Sequence, residues 1–136
     1  MPTQLQAIPL DDALAGRIKG CCNAVAAPLP SRRADELAAV HRALADPMRV
    51  QMVHILANAT EPVCVCDFTA AFELSQPTIS HHLAKLRDAG IVVSTKRGIW
   101  SFHALNPRMN AVAAAAVRAF YGRSHAREVG TRGPGL

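Results

Sequence analysis

The stretch LSQPTISHHLAKLRDAGIV, residues 74–92, carries the signals of one complete helix. Ser75 is a favoured N-cap residue, and the apolar side chains that follow it recur at helical spacing. Gly90 ends the pattern, as glycine commonly does after a last helical turn. The stripe consists of Ile79, Leu83 and Leu86. The sequence therefore predicts an amphipathic helix with one buried side and one polar side.

A second helix precedes this one at a short distance. Val65, Phe68 and Phe72 stand at positions i, i+3 and i+7, which predicts a short helix from about Cys66 to Glu73. Two helices with a tight join form a helix-turn-helix unit, in which the second helix reads DNA.

The pattern becomes extended after this unit. The segment IVVST (91–95), the turn KRG (96–98) and the segment IWSFHAL (99–105) predict a two-stranded hairpin. A hairpin directly after a helix-turn-helix is a wing. The predicted fold class is therefore mainly α with a β-hairpin wing, a winged helix-turn-helix.

Two more helices are predicted upstream of this unit. Leu37, Val40 and Leu44 recur at helical spacing, and Asp46 and Pro47 are a favoured N-cap and first-turn residue for the next helix. That next helix should bury Met48, Met52, Ile55 and Leu56. A short helix near the start, capped by Asp11, carries Leu14 and Ile18.

A last helix follows the hairpin. Asn106 and Pro107 are expected to open it, and Gly122 to close it. Its apolar side holds Met109, Val112, Ala116, Val117 and Phe120. The many alanines would let a partner helix approach closely, so this helix is either a dimer interface or an ordinary core helix.

Composition limits the classes of function. A chain of 136 residues, 50% of them hydrophobic, is long enough for one domain with a core. Lys and Arg number 15 against 10 acidic residues, a formal net charge of +5, which favours a polyanionic partner or serves solubility alone. The start lacks a basic, apolar signal segment and no stretch suits a membrane span, so we expect a cytoplasmic protein. The predicted parts are an arm (1–33), a winged domain (34–121) and a tail (122–136).

The polar side of the second helix and the wing are the predicted DNA-contacting surfaces. Gln, Ser and Thr can bond to base edges, Lys and Arg suit phosphates, and a helix N-terminus attracts phosphate. An ordinary solvated face is the alternative. The predicted DNA-contacting residues are Ser75, Gln76, Thr78, Ser80, His81, Lys85, Lys96 and Arg97.

The six histidines do not suggest a metal site. His81 and His82 are neighbours on a helix and point about 100° apart, so they cannot easily share an ion. We expect His81 to contact DNA and His82 to pack at the edge. The other four lack ligand spacing and are expected to be structural or surface residues: His41, His54, His103 and His125.

The four cysteines form two pairs, in a compartment where thiols stay reduced. Cys64 and Cys66 would point about 200° apart if both were helical, so a shared ion requires the first to be in extended or cap geometry. A helix N-terminus should lower the pKa of such thiols, with Asp67 opposing it slightly. Cys21 and Cys22 lie on the arm, whose following residues could span roughly 35 Å when extended.

Four segments in this order are informative together: ALADPMRVQMVHIL (43–56), CVCDF (64–68), LSQPTISHHLAKLRDAGIV (74–92) and KRGIWSFHAL (96–105). They resemble the ArsR/SmtB family of metal-sensing winged-helix repressors, roughly over residues 34–121. The most specific parts are SQPTISHHL and CVCD. The resemblance implies a homodimer without catalytic residues, which binds an inverted-repeat operator in double-stranded DNA and leaves it when a toxic ion binds.

Within that family, CVCDF resembles the thiol pair of arsenic sensors and of cadmium and lead sensors alike. The arm GCCNAVAAPLP (20–30) resembles the adjacent-cysteine arm of certain arsenic sensors, which favours As(III) or Sb(III) as the inducer. The candidate ligands are four cysteines, of which three or all four bind the ion: Cys21, Cys22, Cys64 and Cys66. A third cysteine beyond the CVC pair, present in some arsenic sensors, is missing, and so is the Asp/His set of the zinc sensors.

Three rival functions stay open at the sequence level. A repressor sensing Cd(II) or Pb(II) would use the same thiols. A thiol redox sensor would oxidise them, although residues at i and i+2 make a strained disulfide. A DNA-binding architectural protein would have incidental cysteines, whereas a thiol enzyme lacks its usual C-x-x-C motif.

Overall fold

The computed structural model describes Pro9 and residues 26–118. The predicted Asp11 helix, the arm cysteines, Phe120, Gly122 and the tail lie outside these residues. The elements are α1 (Ser31–Leu44), α2 (Pro47–Asn58), β1 (Val63–Cys64), α3 (Val65–Phe72), α4 (Gln76–Asp88), β2 (Val92–Arg97), β3 (Trp100–Leu105) and a last helix α5 (111–118). Mainly helical, with a small antiparallel sheet, the fold is the predicted winged helix-turn-helix. Helix α1 starts at Ser31, three residues before the domain boundary expected at Ala34.

Asp46 caps α2, as its residue type predicts. Its Oδ1 accepts hydrogen bonds from the backbone N–H groups of Met48 at 2.8 Å and Arg49 at 3.1 Å. These bonds, with that of Arg49 contributing most, hold the pKa of the Asp46 carboxyl below its usual value. Pro47 lacks a backbone N–H, but the N–H at the first helical position has no acceptor within the helix, so no helical hydrogen bond is lost. Asp46 and Pro47 together therefore determine where α2 starts.

The helix-turn-helix consists of α3 and α4. Glu73 ends α3 in the left-handed conformation with a φ of 54°, and Ser75 then caps α4 by accepting from the Thr78 backbone N–H at 3.4 Å. The inward stripe is confirmed, because Ile79, Leu83 and Leu86 are all almost completely buried. Helix α3 covers Val65–Phe72, one residue earlier at each end than predicted.

The wing contains one strand more than the predicted hairpin. Strands β2 and β3 pair antiparallel around a turn in which Gly98 adopts a φ of 62°. The two-residue strand β1 pairs with the other edge of β3, in the order β1-β3-β2. Its register places Val63 opposite His103 and Cys64 opposite Phe102. A strand this short leaves no alternating pattern in the sequence.

The predicted start of the last helix is wrong. Asn106 does not cap a helix, because its side-chain amide donates to Gly90 O at 2.9 Å and its Oδ1 accepts from the Arg108 backbone N–H. Asn110 is the cap, since its Oδ1 accepts from the Ala113 N–H at 2.8 Å. Helix α5 therefore starts at residue 111 in the described chain.

One core joins the helices to the base of the wing. Val40, Met52, Phe68, Leu86 and Val92 represent the five elements that meet there, and each is at most 2% exposed. Val112 and Val117 add α5 to this core. Among residues 26–118, none of the helices has the length and apolar character needed to span a lipid bilayer.

Candidate nucleic-acid interface and thiol cleft

All eight predicted DNA-contacting residues are exposed. Six lie at the start of α4 or along its outer side, and Lys96 and Arg97 lie at the end of β2 beside the wing turn. The hydroxyls of Ser75 and Thr78 are hydrogen-bonded to each other at 2.8 Å. The first turn of α4 therefore presents a fixed hydroxyl pair and the free-standing amide of Gln76.

The two adjacent histidines have different surroundings. His81 is exposed on α4, whereas the His82 side chain is only 16% exposed and lies against the start of α2. Its Nδ1 is 3.4 Å from Arg49 Nη1 and 4.0 Å from Asp46 Oδ1. Arg49 also donates from Nε to Ala43 O at 2.6 Å, so this polar cluster connects α4 to α1 and α2.

His103 is the buried histidine of the wing. Its Nδ1 lies 2.7 Å from Ser94 Oγ and its Nε2 lies 3.2 Å from Ser101 Oγ, so both ring nitrogens have hydroxyl partners. Burial, and then the positive charge of Arg87, lower the pKa of His103 below its usual value. The neutral imidazole therefore fits this place, as expected of a structural histidine.

The CVC pair sits where β1 becomes α3. Cys64 is the N-cap residue, extended at φ −76° and ψ 151°, while Cys66 lies in the first helical turn. Cys64 donates from its backbone N–H to Asp67 Oδ2 at 3.0 Å, which holds the cap. The extended geometry that a shared ligand requires of Cys64 is thus present. Cys64 is buried and Cys66 is exposed.

The two thiols are close enough to form a hydrogen bond with each other. That bond raises the pKa of the Cys66 thiol, and desolvation and the negative charges of Cys64 and Asp67 act in the same direction. The Asp67 backbone N–H at the helix N-terminus lowers the pKa of Cys66 as expected, but the other groups outweigh it.

A cleft of about 480 Å³ lies at these thiols and extends to the tip of the wing. Its lining residues come from α3, α4 and the wing: Cys64, Val65, Cys66, Thr69, Leu74, Gln76, Ile99, Trp100 and Ser101. Gln76 is a predicted base-reading residue, and Trp100 opens β3 next to the wing turn. An occupant of this cleft would thus touch the thiols and both predicted DNA-contacting surfaces.

Ile99 and Trp100 are cleft residues that were not predicted from the sequence. They are 91% and 51% exposed, unusual for large apolar side chains. A signal was available, because the turn KRGIW places two bulky apolar residues at a hairpin tip, where polar residues prevail. Their approach to the thiols, about 35 positions earlier in the chain, could not be read from local patterns.

The other two predicted ligands, Cys21 and Cys22, lie outside the described residues. Within residues 26–118, no three His, Cys, Asp or Glu side chains come together in a way that could hold a metal ion. Cys64 and Cys66 are the free cysteines of that part of the chain.

Comparison with known proteins shows where the chain belongs. The sequence model of the family described as "Bacterial regulatory protein, arsR family" matches residues 46–94. The "Arsenic resistance transcriptional regulator ArsR1" of Pseudomonas putida is 46% identical over 70 residues, which cover 52% of this chain and 54% of that protein. The chain thus spans about half the length of this relative.

A second relative and a solved structure match over more of their length. A Halobacterium salinarum protein, provisionally named the arsenical resistance operon repressor ArsR2, is 32% identical over 97 residues, 69% of this chain and 82% of that protein. The homodimeric winged helix-turn-helix DNA-binding domain Mb0332 of Mycobacterium bovis superposes with a TM-score of 0.56 at 19% identity, over 84% of this chain and 97% of the domain. Relatives and fold are those of transcriptional regulators and not of enzymes, so the chain belongs to the arsR family of bacterial regulatory proteins.

Proposed function

We propose that this chain is a metalloid-responsive repressor, which binds operator DNA as a homodimer and leaves it when As(III) or Sb(III) binds its cysteine thiols. One observation carries the proposal: Cys64 and Cys66 line the same cleft as Gln76 on α4 and Trp100 on the wing. The names of the relatives above, which refer to arsenic resistance, supply the class of inducer. As a DNA-binding regulator, the protein would act in the cytoplasm.

The DNA would be held by a surface with two tasks. Ser75, Gln76, Thr78, Ser80 and His81 on α4 would face base edges, and the basic groups Lys85, Lys96 and Arg97 would face phosphates. Support comes from the exposure of all eight and from the net charge of +5. A dimer would present two such surfaces to an operator with an inverted repeat, as the two-fold symmetry of a homodimer requires.

Release would follow if the inducer binds the free protein and the operator-bound protein with different affinities. An ion shifts the equilibrium only by its differential affinity for them, so arsenite must bind free protein more tightly than operator-bound protein. Operator DNA must then weaken arsenite binding by the same factor. A shift in operator occupancy from 99:1 to 1:99 needs about 5.5 kcal/mol, which several bonds between arsenic and sulfur can supply.

The arm thiols Cys21 and Cys22 are proposed to complete the coordination of arsenite, which has three exchangeable oxygen ligands. The arm could span roughly 35 Å when extended, and we propose that it reaches the CVC pair of its own subunit or of the partner. If either arm thiol can supply the third ligand, replacing both should weaken the response more than replacing one; if only one can, the other replacement is silent.

A gel shift with operator DNA and competing ions tests the proposal. Arsenite and antimonite should release the protein at lower concentrations than cadmium, lead or zinc. Release by cadmium or lead alone would make this a sensor of those ions. Release by mild peroxide with a disulfide in the intact mass would make it a redox sensor, and no release by any of these agents would leave a ligand-independent DNA binder.

A further inference from the structure

The tip of the wing carries an isoleucine that the rest of the fold leaves uncovered. Ile99 is 91% exposed, although it lines one end of the thiol cleft, and its neighbour Trp100 is 51% exposed. A single exposed apolar residue is ordinary on a protein surface, whereas two large ones side by side at a hairpin tip form an apolar projection. Such a projection favours a partner that offers apolar surface.

A tight turn determines where this side chain lies. Arg97 pairs with Trp100 across β2 and β3, so the loop between the strands consists of Gly98 and Ile99. Gly98 has a φ of 62°, and a positive φ is what a two-residue hairpin loop requires at its first position. Ile99 is therefore held at the extreme end of a hairpin that is paired up to its loop. Little ordering is needed before it binds.

Positive charge lies on both sides of the projection. Lys96 and Arg97 directly precede the loop, and successive residues of a strand point to opposite faces, so the two cations flank the hairpin. The segment KRGIWS, residues 96–101, contains no acidic residue. This arrangement favours double-stranded DNA as the partner, because a phosphate backbone borders each side of a groove.

Groove dimensions limit how the tip can meet DNA. The major groove is about 12 Å wide and admits one helix or one two-stranded ribbon, and α4 is the element predicted to occupy it. The minor groove is about 6 Å wide, while the two strands of a ribbon are already about 4.8 Å apart, so it admits the side chain at the tip and not the ribbon. An isoleucine side chain cannot form hydrogen bonds with base edges. Its apolar contact is with the faces of base pairs, which become accessible where a step unstacks.

We propose that Ile99 is an apolar wedge, which enters the minor groove beside the bases read by α4, partly unstacks one base-pair step and bends the duplex. The inference rests on the DNA-binding part of the proposed function. Wedges of this kind kink DNA by about 20–90°. The wedge also adds specificity without hydrogen bonds, since TA and CA/TG steps unstack more easily than the steps of an A-tract.

Unstacking is measured at single base-pair steps. The probes are duplexes that the full-length protein selects from a random-sequence library, with 2-aminopurine placed in turn at adenines beside the bases read by α4. Wild-type protein should raise 2-aminopurine fluorescence at one step in each half-site, and energy transfer between dyes at the duplex ends should show a bend. Ile99→Ala should abolish the fluorescence increase and reduce the bend. Ile99→Leu should keep both, because leucine also acts as a wedge.

Affinity distinguishes a wedge from a phosphate contact. Ile99→Ala should weaken binding to the selected duplexes by about tenfold, or about 1.4 kcal/mol, and leave the salt dependence unchanged, because no charge is lost. Replacing the unstacked step with an A-tract step should weaken wild-type binding and hardly affect Ile99→Ala. Val93→Ala is the matched control and should behave as the wild type does, since Val93 is an exposed apolar residue near the other end of β2.

Trp100 reports whether the wing tip lies at the DNA. It is the one tryptophan of the chain and is half-exposed, so acrylamide should quench its fluorescence in the free protein. The selected duplexes should protect Trp100 from acrylamide, because insertion of Ile99 brings the neighbouring ring against the groove.

Several results would each overturn the inference. They are the absence of an unstacked step with wild-type protein, an unchanged signal and bend with Ile99→Ala, and full accessibility of Trp100 in the complex. Each leaves the proposed function intact if the wild type still selects its operator and leaves it in arsenite. A wild-type protein that selects no duplex would overturn that function as well.

Discussion

Cys64 pairs with Phe102 across the antiparallel strands β1 and β3, so the first thiol of the CVC pair belongs to the wing as well as to the helix-turn-helix. The same residue caps α3, and α3 packs directly on α4. A ligand that binds Cys64 and Cys66 together would therefore act on both predicted DNA-contacting elements, α4 and the wing. Through the β1–β3 pairing and the packing of α3 on α4, ligand binding could displace the DNA-contacting elements, as the proposed release requires.

The thiol pair can be tested apart from DNA binding. A Cys64→Ser, Cys66→Ser variant should bind operator DNA with close to wild-type affinity, because neither thiol is among the residues predicted to contact DNA. It should no longer leave the DNA in arsenite. Fluorescence anisotropy with labelled operator measures both affinity and release.

Thr69→Ser is the matched control for this pair. Thr69 lines the same cleft, and its hydroxyl donates to Cys66 O at 2.8 Å, a bond that serine can keep. The control should be released as the wild type is. If the double cysteine variant were released at the same arsenite concentration, the sensing site would lie elsewhere.

Wing and helix α4 should affect DNA binding differently. Lys96→Ala or Arg97→Ala should weaken binding to specific and random DNA alike and reduce the salt slope by about 1, as loss of one phosphate contact does. Gln76→Ala or Ser80→Ala should cost about 1–3 kcal/mol on the operator alone if the residue reads a base. The measurement is affinity against salt concentration on both DNAs.

Arg32→Ala controls for a general loss of positive charge. Arg32 is 92% exposed on α1 and forms an ion pair with Glu36. Its replacement should leave the salt slope near the wild-type value. Uniform losses on both DNAs for every α4 and wing variant would contradict the assignment of base reading to α4.

Local signals explain most of what the sequence could predict of the fold. Asp46 and Ser75 cap helices through backbone groups two or three positions away, so residue type and spacing were enough. The predicted start of α5 was wrong because the sequence offers two asparagines as possible N-caps. The Asn106 side chain instead donates a hydrogen bond to Gly90 O, 16 positions earlier in the chain. Local patterns carry no information about that distant partner.

The candidate site also has features that the sequence predicts and features that only the fold determines. The sequence required extended or cap geometry of Cys64 as the condition for a ligand shared with Cys66, and Cys64 has that geometry. The raised pKa of Cys66 and the contact of the cleft with Trp100 depend on distances between atoms that only the fold determines. The two-residue strand β1, which brings these groups together, is too short to show a period.

Stability should fall as the pH decreases because of His103. Its folded-state pKa lies below that of an unfolded chain, about 6.5. The unfolded state therefore takes up the proton first, so this stability is present above about pH 6.5 and is lost as the pH falls toward the folded-state pKa. Urea unfolding between pH 7.5 and 5 should show this decrease.

His103→Gln removes the titrating group and should reduce that pH dependence. It should also lower stability at pH 7.5 by about 1–3 kcal/mol, because the hydroxyls of Ser94 and Ser101 lose a partner. An unchanged slope in the His103 variant would place its origin in other groups.

Helix α5 offers separate positions for folding and for dimerisation. Val117 is 8% exposed and packs in the core of one chain, so Val117→Asp should unfold the protein rather than report on an interface.

Ala111 and Ala115 are exposed instead, in a groove between α5 and α1 that Leu37 and His41 also line. We expect a second copy to cover this groove, because small side chains allow close approach of a helix. Ala115→Asp should then give a folded monomer with weakened operator affinity, since a single module makes too few contacts for tight binding. Ala115→Ser, a small polar replacement, should remain dimeric. Sedimentation measures the mass and circular dichroism confirms the fold; a folded dimer with unchanged affinity in Ala115→Asp would exclude this groove as the interface.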